Sequence, residues 1–526
     1  MVPAFAVKGM RNDDGGWFAA GRIHVVYRAL LLCVHTRSED HLLFDESSQA
    51  AGIRGKRPDA ASTTGPFYVQ PAQTLPRLIE ERLARGDTRP GTPLRLSLAV
   101  PRTDPVRLLL QEATLPQVLW SSRDAQHVIA AIGAVAEART DAELDALLRL
   151  IESAPNGPRL FGGLAFDPRS PADLDWAAFG SLRFILPQFE LSTDTVGSVL
   201  SVHFLHPVAG GEQELMQGIE SALKRLRLGD VALMPPELPQ LVMRTDQPNR
   251  EVWEAMVAAA LKRFSPDGLT KVVLARKARI AMAGGMHPAL LPARSMVATR
   301  GLYHFAFMFE PGSAFFGATP ERLYRREGRR IWTEALAGTR PRGDSQQVDS
   351  YYGDLLQSNQ KELVEHRQVV EFLQAVLAGL CTGCEVVAQE ELMKLAHVQH
   401  LYTRIQGELL EGVRDRVLLE RLHPTPAVGG SPRQLAMAAI RELEAFARGW
   451  YAGPIGWLTR DAAEFAVGIR SGLIRGNTLD LFAGNGIVAG SEPQREWQEN
   501  EAKLRHFFEM FTAARPAGGP ALRPEA

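Results

Sequence analysis

A helical period of three and four residues runs through 351–380, which we predict to be one long helix. The residues on its inward stripe are Leu355, Ser358, Glu362, Glu365, Val369, Phe372, Val376 and Leu380. Glu362 and Glu365 therefore share a face with apolar side chains. An ionised carboxylate on such a face is costly unless a cation or a hydrogen-bond donor meets it. Either this turn of the helix faces solvent, or the two acids have a partner.

A second pair of glutamates stands three residues apart near the end of the chain. Ser491 as N-cap and Pro493 in the first turn predict a helix over 492–511. Glu496 and Glu499 then lie on one face of it. Two such helices facing each other would offer an oxygen-only site that suits Mg²⁺ completed by water and an anionic substrate. The alternative for Glu499 is an ordinary surface pair with Lys503, four residues further on.

The rest of the pattern predicts many strands interleaved with helices. Strands are expected at 93–100, 161–167, 181–185, 197–204, 271–283, 303–309, 314–318, 321–326, 329–335, 451–458, 463–474 and 478–483. Helices are expected at 76–84, 124–138, 141–153, 212–226, 251–264, 290–299, 392–405 and 432–447. This order predicts a layered α+β fold.

Stretches rich in proline and glycine divide the chain into four parts. Residues 1–65 form a leader with a candidate strand at 25–34, and residues 514–526 form a disordered tail. Between them, an N-terminal half over 66–240 is joined to a second half over 241–513 by a proline-rich segment at 233–239.

Composition narrows the class of protein. The chain has 526 residues, 45% of them hydrophobic and 23% charged, with a formal net charge of −1. This balance indicates neither a nucleic-acid partner nor a membrane surface, and the apolar runs are too short to span a bilayer. Three cysteines make no disulfide framework, which favours the cytoplasm. Cys381 and Cys384 have the spacing of a metal or redox pair, but they lack a second pair and are expected in a loop.

An ordered set of motifs resembles the chorismate-utilising enzymes. The motifs lie at 271–276, 319–323, 334–339, 365–366, 397–401, 422–430, 450–453, 469–471, 483–487 and 496–499. The strand at 161–167 matches the family's less distinctive first half. The resemblance implies one large α/β/α sandwich, with two mostly antiparallel sheets packed between outer helices. The proline-rich segment would then be internal and not a domain boundary.

Two positions make the resemblance closest to the isochorismate synthases. Lys271 matches the lysine that isochorismate and salicylate synthases use to activate water. Ala337 stands where aminodeoxychorismate synthases carry a lysine. The resemblance implies a small-molecule substrate, chorismate, with Mg²⁺ as cofactor, no glutaminase subunit, and a monomer or weak homodimer. The product could feed menaquinone or a siderophore.

Three other functions stay open at this point. A salicylate synthase would share the base, the acid and the metal ligands, and would then eliminate pyruvate. Anthranilate or aminodeoxychorismate synthesis would need ammonia, and Lys271 argues against it. A non-catalytic chorismate-binding protein should have lost the base, the acid or a metal ligand, whereas all of them are present.

The resemblance also implies a role for each site residue. Lys271 would take a proton from the water that adds at C2, and Glu321 would protonate the hydroxyl that leaves C4. Glu365 and Glu499 would hold Mg²⁺. The residues expected to hold metal-bound waters or support those ligands are Glu362 and Glu496. The residues expected to bind the substrate are Tyr451, Arg470, Lys503, Gly484, Gly486, His400, Gly338 and Thr339.

Taken one at a time, these residues have plainer interpretations. Lys271 could be a solvated strand end, and Tyr451 could simply pack. His400, in a predicted helix, could be a core histidine. The glycines at 484–490 follow a strand and precede a helix, but their Gly-x-Gly-x-x-x-Gly spacing argues against a dinucleotide-binding loop. We expect 484–486 to be a turn whose backbone amides cradle an anion.

Overall fold

The computed structural model describes residues 71–512, apart from short gaps at 87, 155–156, 172, 230–235 and 396–397. The predicted leader at 1–65, with its candidate strand, and the predicted tail at 514–526 lie outside the described residues. The α-helices are α1 (Pro71–Ala84), α2 (Pro105–Gln111), α3 (Asp141–Glu152), α4 (Glu212–Arg225), α5 (Arg250–Leu261), α6 (Leu290–Ala298), α7 (Gln346–Ser358), α8 (Gln360–Ala378), α9 (Asp415–Leu422), α10 (Arg433–Leu443) and α11 (Pro493–Thr512). Among the helices of the described residues, none is both long and apolar enough to cross a bilayer.

The strands fall on both sides of the proline-rich segment. Before it lie β1 (Pro93–Val100), β2 (Gln117–Ser121), β3 (Val128–Ile132), β4 (Ala136–Ala138), β5 (Leu160–Leu164), β6 (Leu182–Leu186), β7 (Phe189–Thr193) and β8 (Ser198–Leu205). After it lie β9 (Leu241–Gln247), β10 (Lys271–Met282), β11 (Tyr303–Glu310), β12 (Ser313–Thr319), β13 (Arg322–Glu327), β14 (Arg330–Pro341), β15 (Cys381–Lys394), β16 (Val398–Leu409), β17 (Gly430–Ser431), β18 (Pro454–Leu458), β19 (Ala462–Val467), β20 (Ser471–Arg475) and β21 (Thr478–Val488).

These strands form two sheets. The first has the order β1-β8-β7-β3-β2-β11-β12-β20-β21-β10-β17, with β9 paired to β10. The second has the order β15-β16-β14-β13-β19-β18-β5-β6-β4. Neighbouring strands run antiparallel, as in β10 with β21 and β14 with β16. Each sheet contains strands from both halves of the chain, and the predicted layered α+β fold with two antiparallel sheets is confirmed.

Apolar side chains fill the space between the sheets and the space under the helices. One buried cluster joins Trp120 and Phe305 of the first sheet to Phe161 and Phe465 of the second. Trp450 lies in it, with its ring 5.3 Å from that of Phe179 in an edge-to-face contact. A second buried cluster joins the other face of the first sheet to α1, α4, α6 and α11. Burial of this apolar area is the main favourable contribution to folding.

The predicted single helix over 351–380 is wrong, because the chain breaks at Asn359. This residue has extended backbone angles, and its side chain accepts a hydrogen bond from the backbone N–H of Glu362 at 3.2 Å. An asparagine that caps a new helix in this way also ends the one before it. Because of the break, α8 begins at Gln360, with Glu362 in its first turn and Glu365 in its second.

Two further predicted helices are strands. Residues 124–138 form β3 and β4, which are separated by Gly133 at a φ of 68°. Residues 392–405 belong to the β15 and β16 hairpin. In β16 the side chains of Leu401, Thr403 and Ile405 are buried, whereas Tyr402 is partly exposed and Arg404 exposed. This period of two is the signature of a strand, and the apolar residues around it were wrongly fitted to a helical period.

Other corrections concern element ends and connections. The predicted strand at 463–474 is two strands, because the chain leaves β19 in the second sheet and enters β20 in the first. The segment with Cys381 and Cys384 is the start of β15 and not a loop; both thiols are free, Cys381 buried and Cys384 exposed. The sequence pattern also missed α2, α9, β2, β7 and β9.

Candidate active site

Lys271, the first residue of β10, lies inside the protein and not at a solvated strand end. Its side chain is fully buried, and its Nζ donates a hydrogen bond to Glu365 Oε1 at 2.7 Å. Glu365 reaches this point from α8, which packs on β14, β15 and β16 of the second sheet. The pair therefore joins the two sheets at one end of the sandwich. This is the location at which the other predicted residues meet.

Gly484 and Gly486 lie on β21, beside Lys271, and leave room for three site side chains. A Cβ on Gly486 would lie 2.9 Å from Lys271 Cε and 3.0 Å from Glu365 Oε1. A Cβ on Gly484 would lie 2.8 Å from the hydroxyl of Tyr451. The prediction that 484–486 form a turn is wrong, because these residues continue the ladder with β10. The site has room for Lys271, Glu365 and Tyr451 because these two glycines lack side chains, and not because the chain turns here.

Glu321 lies between β12 and β13, and its side chain is almost completely buried. Burial raises the pKa of Glu321 to about 7, against the opposing effects of Lys271, Arg470 and Arg123. These charges place Glu321 within electrostatic reach of Lys271 and Arg470. A buried carboxyl with a pKa near neutrality can hold a proton and release it, as general acid catalysis requires.

Arg470 and His400 lie next to each other at the same site. Arg470 follows β19 at a φ of 47°, an uncommon conformation for a residue other than glycine, and burial lowers its pKa to about 10. Its Nη2 lies 3.1 Å from Nε2 of His400. The other ring nitrogen, Nδ1, lies 3.0 Å from Thr339 Oγ1 and 3.1 Å from the carbonyl oxygen of Gly338. His400 is on β16, and not on the predicted helix.

Lys503 of α11 lies beside β21. Its Nζ donates to the carbonyl oxygen of Gly484, to Asn485 Oδ1 and to Glu499 Oε1, at 2.9, 2.9 and 2.8 Å. Lys503 lowers the pKa of Glu499, whose side chain is half exposed. The surface pair considered from the sequence is therefore present, but it stands at the edge of the site. Lys503 is therefore anchored on three oxygens.

Glu362 and Glu496 lie one turn before Glu365 and Glu499 on their helices. Glu362 accepts from Arg340 Nη1 at 2.8 Å, and Glu496 accepts from Asn485 Nδ2 at 3.0 Å. Ser491 also hydrogen-bonds to Glu496, and its Oγ accepts from the backbone N–H of Val488. α11 begins at Pro493, so Ser491 supports a carboxylate and is not the residue directly before the helix.

The four glutamates are suited to a hard divalent cation by their chemistry and their mutual repulsion. Burial raises the pKa of Glu362, and the negative charges of Glu365 and Glu499 raise it further. Burial raises the pKa of Glu496 as well, and Glu499 adds to the effect. A divalent cation between α8 and α11 would relieve this repulsion with oxygen ligands. Within the described residues, no three acidic, histidine or cysteine side chains are close enough to hold a metal. Lys271, Lys503 and Arg340 pair with Glu365, Glu499 and Glu362.

Tyr451 is buried behind Gly484. Its ring stacks on Phe482 with centroids 5.1 Å apart, and burial raises the pKa of its hydroxyl well above the usual range. The negative charge of Glu321 acts in the same direction, so the two side chains are near each other. Tyr451 packs against Phe482, which agrees with the plainer interpretation of this residue, and its hydroxyl stays neutral.

The structure adds residues that the sequence patterns did not single out. Arg340, on β14, pairs with Glu362, and Asn485 links Glu496 to Lys503. Arg123 reaches the neighbourhood of Glu321 from the first half of the chain and pairs with Glu334 at 2.5 Å. In the sequence, Arg340 directly follows the motif at 334–339, and Asn485 lies inside the motif at 483–487. This nearness to a motif was the only signal for either residue. For Arg123 the sequence held no signal.

Comparison with known proteins defines the class. A family model described as chorismate binding enzyme matches residues 84–512. The chain belongs to this family of chorismate-binding enzymes. A relative from Bacillus subtilis (strain 168), isochorismate synthase MenF, is 37% identical over 364 residues, covering 68% of this chain and 76% of the relative. Isochorismate synthase 2, chloroplastic, from Arabidopsis thaliana is 36% identical over 363 residues, covering 66% of this chain and 63% of the relative.

A solved structure shows the same fold. It is the menaquinone-specific isochorismate synthase MenF from Escherichia coli, with a TM-score of 0.72 and 28% sequence identity. The match covers 82% of this chain and 98% of that chain. The expected resemblance to chorismate-utilising enzymes, and to isochorismate synthases among them, is therefore confirmed.

Proposed function

We propose that the chain is an isochorismate synthase, an isomerase that converts chorismate to isochorismate. The observation that supports this most directly is the presence of two buried groups of opposite role in one site. Lys271 lies on β10 with its amine at the site, and Glu321, with a pKa of about 7, lies within its electrostatic reach. Ala337 stands where aminodeoxychorismate synthases carry a lysine.

The reaction needs one proton removed and one supplied. Nζ of Lys271 takes a proton from a water molecule whose oxygen bonds to C2 of chorismate. The ring double bonds shift, and the C4–O bond breaks. The carboxyl of Glu321 gives its proton to the departing hydroxyl, which leaves as water. Atoms and charge balance, because one water enters and one leaves. Burial of both groups keeps other water away from the reacting carbons.

The remaining residues bind and orient the substrate. Arg470, Lys503 and Tyr451 bind a carboxylate of chorismate, for which a guanidinium, an ammonium and a phenol hydroxyl are suitable donors. Glu365 and Glu499 would hold Mg²⁺, and Glu362 and Glu496 would hold metal-bound waters or support those ligands. The Mg²⁺ ion, when bound, orients the ring carboxylate and offsets its charge.

The proposal also covers the oligomeric state of the enzyme, its compartment and the pathway that uses its product. We expect the enzyme to act as a monomer or weak homodimer. We expect no glutaminase subunit, because water and not ammonia is the nucleophile. The free thiols of Cys381 and Cys384 fit a reducing cytoplasm. The E. coli structure that matches over nearly its whole length is a menaquinone-specific enzyme, and menaquinone synthesis is the destination we propose for the product.

An isotope experiment tests the reaction. The protein is incubated with chorismate and Mg²⁺ in water enriched in ¹⁸O, and the product is analysed by mass spectrometry and NMR. We expect isochorismate with one ¹⁸O, in the hydroxyl at C2. Isochorismate without ¹⁸O would contradict attack by water, and absence of isochorismate would contradict the proposed function itself.

A further inference from the structure

The imidazole of His400 bridges β14 and Arg470. Its Nδ1 lies 3.1 Å from the carbonyl oxygen of Gly338 and 3.0 Å from Thr339 Oγ1, and its Nε2 lies 3.1 Å from Arg470 Nη2. The side chain is almost completely buried. Within the described residues, His400 is the one side chain to which the guanidinium of Arg470 hydrogen-bonds.

The partners of the ring fix its tautomer. The carbonyl oxygen of Gly338 can only accept a hydrogen bond, so Nδ1 must carry a proton. The guanidinium of Arg470 can only donate, so Nε2 must present a lone pair. Both conditions hold only for a neutral imidazole protonated at Nδ1. Burial, assisted by the charge of Arg470, lowers the pKa of His400 to about 3, which agrees with a neutral ring.

A neutral partner leaves the charge of Arg470 available. At two other arginines near or in the second sheet a carboxylate holds the guanidinium, as Asp415 holds Arg326 and Glu362 holds Arg340. Such a pair orients the guanidinium but offsets its charge. His400 orients Arg470 with a lone pair alone, and Glu321, whose charge acts on Arg470, has its own pKa raised to about 7 by burial, so that its negative charge is only partly developed at neutral pH.

We propose that His400 is a positioning residue, whose Nδ1-protonated imidazole holds the guanidinium of Arg470 in place for a carboxylate of the substrate. The inference rests on the proposed function for the identity of that substrate as chorismate. It differs from the direct substrate contact expected from the sequence, because His400 acts through Arg470.

Two substitutions separate this role from simple packing. In His400→Asn the shorter side chain keeps a donor for Gly338 but cannot reach Arg470. In His400→Gln the longer side chain presents an amide oxygen at the position of Nε2. Chorismate binding is measured by calorimetry in the presence of Mg²⁺, with each substitution placed in a Lys271→Ala background so that no turnover occurs. Melting temperatures establish that each variant is folded.

We expect His400→Asn to raise the dissociation constant for chorismate about tenfold or more, the loss typical of a hydrogen bond to a charged group. His400→Gln should restore most of the affinity. Equal affinities in both variants and the parent would overturn the inference. Equal losses in both variants would overturn it as well, because they would indicate packing and not orientation of Arg470.

A spectroscopic measurement tests the tautomer directly. In protein labelled with ¹⁵N-histidine, a long-range proton–nitrogen correlation spectrum distinguishes a protonated ring nitrogen from one with a lone pair, and His400→Gln identifies the signals of His400. We expect Nδ1 protonated and Nε2 bare, and the opposite pattern would overturn the inference. Failure of the proposed function would be seen separately, as a wild-type protein that makes no isochorismate yet shows this tautomer.

Discussion

Nζ of Lys271 and Oε1 of Glu365 are 2.7 Å apart, which joins the proposed base directly to a proposed metal ligand. Lys271 begins a strand of the first sheet, and Glu365 lies on a helix packed against the second. A change at either residue therefore alters a contact between the two sheets, and it can act on proton transfer or on metal binding. The predictions below separate these effects.

Replacement of Lys271 by alanine should abolish turnover and leave metal binding intact. The variant lacks the group that takes a proton from water, but Glu365 and Glu499 remain. We expect isochorismate formation to fall by a factor of about 10² to 10⁴, while Mg²⁺ still raises the melting temperature. Lys262→Ala, an exposed position, serves as the matched control. Turnover at the wild-type rate would remove Lys271 as the base.

Glu365→Gln should weaken the dependence on Mg²⁺. The amide keeps the shape of the side chain but loses the charge that a hard cation prefers. We expect the Mg²⁺ concentration for half-maximal activity to rise at least about tenfold, and Glu499→Gln should act in the same direction. Glu371→Gln, exposed on the same helix, is the control. An unchanged Mg²⁺ titration would show that the two-helix metal site is wrong.

The pKa of about 7 for Glu321 sets the alkaline limit of activity. The carboxyl must be protonated to give its proton to the leaving hydroxyl, and burial raises its pKa, so the active form predominates below neutrality. We expect kcat/KM for chorismate to fall about tenfold for each pH unit well above 7. Glu321→Gln should lose most of its activity, and its residual rate should lack this limit. The same alkaline limit in Glu321→Gln would assign the titration to another group.

A methyl group at Gly486 should damage the site without damaging the fold. A Cβ there would lie 2.9 Å from Lys271 Cε and 3.0 Å from Glu365 Oε1, so the pair must move apart. We expect Gly486→Ala to lower kcat by about tenfold or more. The control is Gly383→Ala, in β15, where a Cβ would meet nothing within 4 Å. Equal activity of both variants, measured by product chromatography, would contradict the assigned geometry.

Local sequence patterns correctly predicted those elements in which the apolar residues follow a single period. The strand at 93–100 and the start of the strand at Lys271 agree with the structure. The helix break at Asn359 was missed because a stripe of the right period crosses it, although an asparagine before a glutamate three residues on is a capping signal. The segment around His400 was assigned to a helix because its apolar residues also fit a helical period.

Local sequence patterns could not predict which side chains of the two sheets contact each other. The motifs placed Lys271 and Glu365 in the site, but their direct pairing depends on how the two sheets stack. Arg123 comes from the first half of the chain and reaches Glu334 through the same stacking. From the sequence, only the ordered set of motifs, and not the spacing of any one motif, predicted that Lys271 and Glu365 belong to the same site.

The most direct test of the account is the identity of the product. The purified protein is mixed with chorismate and Mg²⁺, with and without ammonium, and the products are separated by chromatography and identified by NMR. The account predicts isochorismate in both mixtures, with no pyruvate released. Salicylate with an equimolar amount of pyruvate, or an aminated product that requires ammonium, would contradict it.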